Sequence, residues 1–272
     1  DQVFNGFLLP TGLKLHYNAK DTTTVISASN YVAGKLNAIP MILGPGFATA
    51  IIPHISEALS KKNYKLVKKN VLDSINVVLY VAIPVSFCIF AYAGPLNYTL
   101  YYSENLELCT FVVQWMALEG FLSTFAPLVT NLMVSLELRK NVLKNLAIGV
   151  LIKGVLLIVW IMGIAGAVIS SLLGTGYILY KNLKEIHDVY HISYRKTMII
   201  SVRILVGLLA LWITSILLSK VGLYGVEGSK LVCLFKMCLN GLLSVIVYVV
   251  VTLYLKVPQS IFHFQLRKKS GV

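Results

Sequence analysis

Three charged side chains, Lys35, Glu119 and Lys153, fall inside long apolar runs of this sequence. A charge at the centre of a bilayer costs roughly 2.5 to 3.5 kcal/mol on insertion scales, so such a residue faces a wet cavity or a partner and is a functional candidate by default. Lys35 and Glu119 each stand about ten residues from one end of their runs, and Lys153 about eight from the opposite end of its own, which at about 1.5 Å per residue puts all three near one depth. Two chemistries fit. Lysines in a wet cavity neutralise an anion, and a carboxylate between two lysines makes a structural ion-pair network that ties three helices together. Arg203 and Lys236 lie about 9 Å from the ends of their runs and reach the headgroups by snorkelling. Lys35 differs from the rest by its neighbours Gly34, Pro40, Gly44, Pro45 and Gly46. A proline inside a helix removes a backbone hydrogen bond, and broken helices are tolerated at membrane depth where they line a cavity. A kinked structural helix is the alternative.

Other reactive groups are sparse. His187 and His191 are four apart and could share one helical face as metal ligands, but two histidines without a third ligand are weak evidence, and they read as part of a solvated connector. Cys88, Cys109, Cys233 and Cys238 sit in or beside apolar runs with no CxxC pair, and read as packing residues. The sequence has no GxxxxGK[ST], HExxH or GxSxG motif and no paired acids in a loop. It therefore points to no cofactor, no metal and no nucleotide hydrolysis. Any energy source would be an ion gradient, the membrane potential or substrate supply.

The elements that must position these residues are membrane helices. Hydrophobic residues make up 57% of the chain and charged residues 13%, against about a quarter charged in soluble domains. Seven stretches reach the roughly 20 apolar residues that span about 30 Å of hydrocarbon. They are Val25 to Pro53, Ser74 to Leu96, Cys109 to Leu136, Asn145 to Gly163, Ile164 to Tyr180, Thr197 to Ser219 and Leu231 to Leu255. Residues 1–17 read as the truncated end of another span. The run from Asn145 to Tyr180 would be about 54 Å long as one helix, so it must fold back, and Gly163-Ile164-Ala165-Gly166 is the natural turn.

The fold class is thus all-α, a polytopic transmembrane bundle. Residues 18–183 form its main body, with an amphipathic surface helix over 54–72, a connector over 184–196, two further spans over 197–255 and a basic tail over 256–272. The net charge of +13 does not form one continuous face, which argues against nucleic acid. Sixteen lysines and arginines fall in alternate connections, among them Lys61, Lys62, Arg139, Lys140, Lys181 and Lys184, against four on the other side. That asymmetry predicts a multi-pass protein of the cell membrane with the basic loops and C-terminus cytoplasmic.

Tyr31 to Leu59 reads YVAGKLNAIPMILGPGFATAIIPHISEAL, with a basic residue ahead of a proline, then a small-residue helix ending in Pro53-His54-Ile55-Ser56-Glu57. This resembles the eighth membrane helix of the MurJ-like and stage V sporulation protein B-like flippases, within the multidrug/oligosaccharidyl-lipid/polysaccharide exporter superfamily. Gly163 to Ile169 is similar to the turn that opens the family's twelfth helix. The resemblance covers essentially the whole chain, as the C-terminal half of a 14-helix, two-bundle flippase. It implies a V-shaped pair of six-helix bundles around a central cavity, a polyprenyl-pyrophosphate-linked glycan as partner, and a lipid-tail groove formed by two extra C-terminal helices. Gly207, Trp212 and Gly241 are the candidates for that groove. One cavity arginine of the MurJ branch falls on Lys35, and an acid that some members carry three residues later is Ala38. Lysine neutralises phosphate without forming the bidentate fork of arginine.

The expectation is therefore a non-enzymatic flippase for a lipid-linked oligosaccharide or peptidoglycan precursor, working by alternating access, with substrate-binding residues Lys35, Lys153 and Glu119 and room for a coupling ion. A multidrug and toxin extrusion type antiporter, which would favour acids at the midplane, is the alternative within transport. An integral membrane glycan polymerase is the alternative from another class, and it would need acids or histidines in a sizeable outer loop.

Overall fold

The computed structural model describes residues 13, 14, 17–101, 105–159, 163–224, 226 and 228–262, with backbone alone at 43–45, 48 and 159. The predicted basic tail beyond 262 and most of the predicted first span lie outside these. The described residues hold helices and no strand. In chain order they are α1 (Ala19–Ser27), α2 (Gly34–Met41), α3 (Leu43–Ser60), α4 (Tyr64–Ala91), α5 (Ala93–Leu100), α6 (Leu106–Ser135), α7 (Arg139–Val159), α8 (Gly163–Tyr190), α9 (Arg195–Leu218), α10 (Lys230–Tyr254) and α11 (Val257–Phe262). Six of them, α4 and α6 to α10, are each long and apolar enough to cross a membrane.

The seventh predicted span is present as pieces. Ala28–Ala33 is a π-helical segment between α1 and α2, and the single turn residue Ile42, its backbone still helical at φ −69° and ψ −28°, separates α2 from α3. Pro40 sits inside the last turn of α2, where it withholds one backbone donor from the helix. Gly44 and Pro45 continue as helical backbone in α3.

The expected turn over Gly163 to Gly166 is shifted towards the N-terminus: α8 already begins at Gly163, and Ile164 to Gly166 lie inside it. Gly163 opens α8 with φ of +63°, a left-handed conformation that glycine adopts freely. The antiparallel partners α7 and α8 then approach closely. A Cβ on Gly174 would come within 2.8 Å of the Gly149 carbonyl oxygen and 2.9 Å of Lys153 Cβ, so glycine is what permits the crossing.

The surface helix expected over 54–72 is corrected. α3 ends at Ser60, the chain turns through Lys61 to Asn63, and α4 starts at Tyr64, capped by the Asn63 side chain accepting from the Leu66 amide. The apolar side read from the sequence exists, since Ile55, Val67 and Val71 are fully buried, but it belongs to two helices closing on one core. That core joins α3, α4, α6, α8 and α9 at the lysine-rich end. The predicted connector over 184–196 also shortens, because α8 runs to Tyr190. His187 Nδ1 lies 2.7 Å from the Ile192 carbonyl oxygen, which binds the histidine to the chain reversal. Among the described residues no cluster of three or more metal-ligating side chains includes it.

α9 and α10 pack as a pair. A Cβ on Gly207 would meet Thr252 Cγ2 at 2.7 Å, and Arg203 Nη1 donates to the Leu255 carbonyl oxygen at 3.1 Å, closing the C-terminal end of α10. Tyrosines fasten this pair to the rest. Tyr92 donates to Asn240 Oδ1 at 2.9 Å, and Tyr248 donates to the Tyr80 carbonyl oxygen at 3.1 Å.

Candidate functional site

The three mid-span charges part company in the structure. Lys153 on α7 and Glu119 on α6 form a pair at 3.9 Å, with the Lys153 side chain 3% exposed and that of Glu119 18% exposed. The Ser171 hydroxyl on α8 hydrogen-bonds the same carboxylate. Three helices thus meet on one carboxylate, which is the arrangement of a structural tie.

Lys35 is elsewhere. It is exposed, and no ion pair among the described residues involves it. Its direction follows from Asn37, two residues on. Asn37 Nδ2 donates to the Met116 carbonyl oxygen at 2.8 Å, and a Cβ on Gly120 would fall 2.7 Å from Asn37 Oδ1, so this face of α2 is pressed onto α6. Successive helical residues turn by about 100°, which places Lys35 on the opposite side of the helix. Tyr31, Lys35, Ile39 and Ile42 are all exposed and continue one stripe along the outside of the bundle. The π-helical segment ends one residue before Gly34 and so sets the rotation of this stripe.

A long apolar groove begins on the same helix. About 680 Å³ of space is bounded by Leu36 and Ile39 of α2, Pro84 and Cys88 of α4, and Gly241 and Val245 of α10. Lys35 itself does not line this groove; Ile39, one turn beyond it on the same helix, does. Of the residues expected to line a lipid-tail groove, Gly241 lines this apolar one. Gly207 is used in the α9–α10 crossing instead, and Trp212 lines a separate cavity with Gln114, Ser215 and Lys220. Gly207 was expected in the groove because a small residue permits close approach, and the close approach it permits is to the neighbouring helix.

Sequence reasoning missed the polar links that hold these parts in place. Asn145, Asn182 and Thr130 join α7, α8 and α6, with Asn145 Nδ2 donating to Asn182 Oδ1 at 3.0 Å and to Glu185 Oε1 at 3.1 Å. Asn240, fully buried, links α10 to Tyr92, to the Ser215 carbonyl oxygen of α9 and to the Ser219 hydroxyl just beyond it. The available signal was an isolated asparagine inside an apolar run, because such a side chain must find a partner away from water.

A helical bundle whose described residues include six helices long and apolar enough to cross a membrane, with an irregular further helix carrying an exposed lysine, is that of a multi-pass membrane protein. The comparison of sequences gives the family: residues 23–160, about half of the chain, match MatE, and the chain belongs to that family. It is 30% identical over 145 residues to the lipid II flippase MurJ of Bacillus subtilis (strain 168), a stretch that covers 52% of this chain and 26% of that protein. It is 32% identical over 76 residues to the sporulation protein YkvU of the same organism, covering 28% of this chain and 17% of the relative. The chain thus matches well under two thirds of the length of either relative. A flippase or transporter of the multidrug/oligosaccharidyl-lipid/polysaccharide exporter superfamily is what the family match and the fold together support.

Proposed function

We propose that this chain forms one bundle of a flippase that moves a polyprenyl-pyrophosphate-linked glycan across the cell membrane by alternating access, and that it is not an enzyme. Lys35 is the counter-ion to the substrate's phosphates. The observation that carries this reading is that Leu36 and Ile39, one residue and one turn beyond the exposed Lys35 on the same helix, line the apolar groove between α2, α4 and α10. A polar head has to cross hydrocarbon in a wet cavity while its tail stays in lipid, and that task needs a basic group at mid-depth beside an apolar channel open to the bilayer. The exposed stripe through Tyr31, Lys35 and Ile39 is the face that would look into the cavity. The printed function of the MurJ relative, a lipid II flippase, agrees with this substrate class.

In this reading Gly241 and its groove neighbours guide the tail, Gly34 and Pro40 shape the irregular helix that presents Lys35, and the Glu119–Lys153 pair supports the bundle. The lysine-rich turns face the cytoplasm, following the asymmetry of basic residues between alternate connections. Replacing Lys35 with Ala in the full-length protein is expected to abolish flipping of lipid-linked substrate while insertion and expression persist. Transport at the wild-type rate by that variant overturns the assignment.

A second reading, a cation-coupled antiporter of the multidrug and toxin extrusion type, draws support from the MatE match and from Glu119, a mid-span acid. Efflux of organic cations driven by a sodium or proton gradient, lost in Glu119→Gln and untouched by Lys35→Ala, would favour it.

A further inference from the structure

At the lysine-rich end, away from Lys35 and the groove, a cleft of about 900 Å³ lies between the turn after α3, the turn joining α6 to α7, and the end of α8. Lys62, Lys68, Arg139 and His191 line it together with the Ser56 hydroxyl and Glu137. Among the described residues no ion pair joins Glu137 to these bases, so their charge is not consumed internally.

The backbone singles out the same residues. Among the described residues four non-glycine residues have positive φ, and three of them, Lys62 at 53°, Glu137 at 65° and His191 at 51°, line this cleft. Each stands just after a helix end, where glycine or asparagine is the residue that adopts the left-handed conformation without strain. A charged side chain kept in such a position is held against a local backbone preference, and strain of this kind collects where a side chain is needed for function. Complementing the helix dipole does not require it, because Lys61, one residue earlier, already puts a cation at the end of α3 and is paired with Glu57.

We propose that this cleft is a binding site for a phosphate-bearing anion, distinct from the Lys35 site. Arg139 offers the planar fork that matches phosphate oxygens, Lys62 and Lys68 supply point charges, and the Ser56 hydroxyl can donate as well. Glu137 accepts from hydroxyl or amine groups next to the phosphate, which favours a substituted phosphate over the bare ion. The proposal does not depend on the transport reading, since Lys35 is not among the residues lining the cleft.

The test uses the purified full-length protein and two probes, inorganic pyrophosphate with the protein in detergent micelles, and phosphatidylglycerol against phosphatidylcholine in nanodiscs. Saturable binding of at least one probe is expected, weakened tenfold or more in Arg139→Gln and in Lys62→Gly and unchanged in Lys61→Gly, which removes an equal charge outside the cleft. Binding of pyrophosphate alone assigns a soluble ligand, and of phosphatidylglycerol alone a lipid headgroup. Because glycine relieves the left-handed backbone, Lys62→Gly should unfold at the same temperature as the wild type or higher while binding falls. The proposal is overturned if neither probe binds saturably, if Arg139→Gln binds as the wild type does, or if Lys61→Gly weakens binding as much as Lys62→Gly.

Discussion

Lys35 on α2 and the Glu119–Lys153 pair on α6 and α7 come from similar depths of similar apolar runs, yet the fold treats them in opposite ways. Lys153 is 98% removed from solvent, tied to an acid, and carried by an unbroken helix that folds back on its neighbour through Gly149 and Gly174. Lys35 is exposed and carried by a short helix between a π-helical segment and the turn residue Ile42. Continuous helices bury their charges against each other, whereas an interrupted helix can rotate a charge out of the bundle. The difference separates a charge that holds the structure together from one available to a ligand.

The largest effect on folding should therefore come from the buried pair. Lys153→Met leaves the largely buried Glu119 carboxylate without its cation and is expected to cost up to about 3–5 kcal/mol, with Lys153→Met/Glu119→Gln recovering most of the loss. Unfolding in detergent measured for both variants decides this, and a single-variant cost below about 1 kcal/mol would remove the structural role given to the pair. A smaller effect is expected at the crossing of α7 and α8. Gly174→Val pushes a side chain against the Gly149 carbonyl and Lys153 and should cost about 1–3 kcal/mol. Gly176→Ala on the same helix, where a Cβ meets nothing within 4 Å, should be neutral or stabilising. Equal destabilisation by the two would contradict the close crossing.

The smallest effect lies at the exposed pair Glu57 and Lys61, 2.6 Å apart. Lys61 holds the Glu57 carboxyl below its ordinary 4.5 by a hydrogen bond and by its charge. A depressed carboxyl contributes stability above the ordinary value and loses it as pH falls through the folded one. Both groups are exposed and screened, so Glu57→Gln should leave the unfolding temperature nearly unchanged at neutral pH and indistinguishable from wild type at pH 3. A large shift at neutral pH would mean that this helix end is packed against something further.

Much of this contrast was legible in the residues. Span length and the basic turns followed from hydropathy and lysine placement, and Gly163 was found because no single helix of that length crosses a bilayer once. Pro40 and its glycines suggested a break, whereas Gly44 and Pro45 continue as helix and the irregularity that the backbone shows is the π-helical segment Ala28–Ala33. What escaped was set by packing between elements distant in sequence. The π-helical segment at Ala28–Ala33 depends on how α2 must rotate to press Asn37 onto Gly120, a contact 83 residues apart in the chain. The apolar side of 54–72 was correctly seen but assigned to one helix, because periodicity does not reveal that Lys61 to Asn63 reverse the chain. That Lys153 rather than Lys35 pairs with Glu119 was open for the same reason, since depth in a span fixes height and leaves rotation free.

The most direct test is a charge series at Lys35, read as flipping of lipid-linked substrate per correctly inserted molecule of the full-length protein. Lys35→Arg should keep substantial transport, Lys35→Ala and Lys35→Glu should lose it at least tenfold, and all three should unfold within about 0.5 kcal/mol of wild type, because the side chain is exposed. Undiminished transport in Lys35→Glu would contradict the account, since no counter-ion to phosphate can be replaced by an acid.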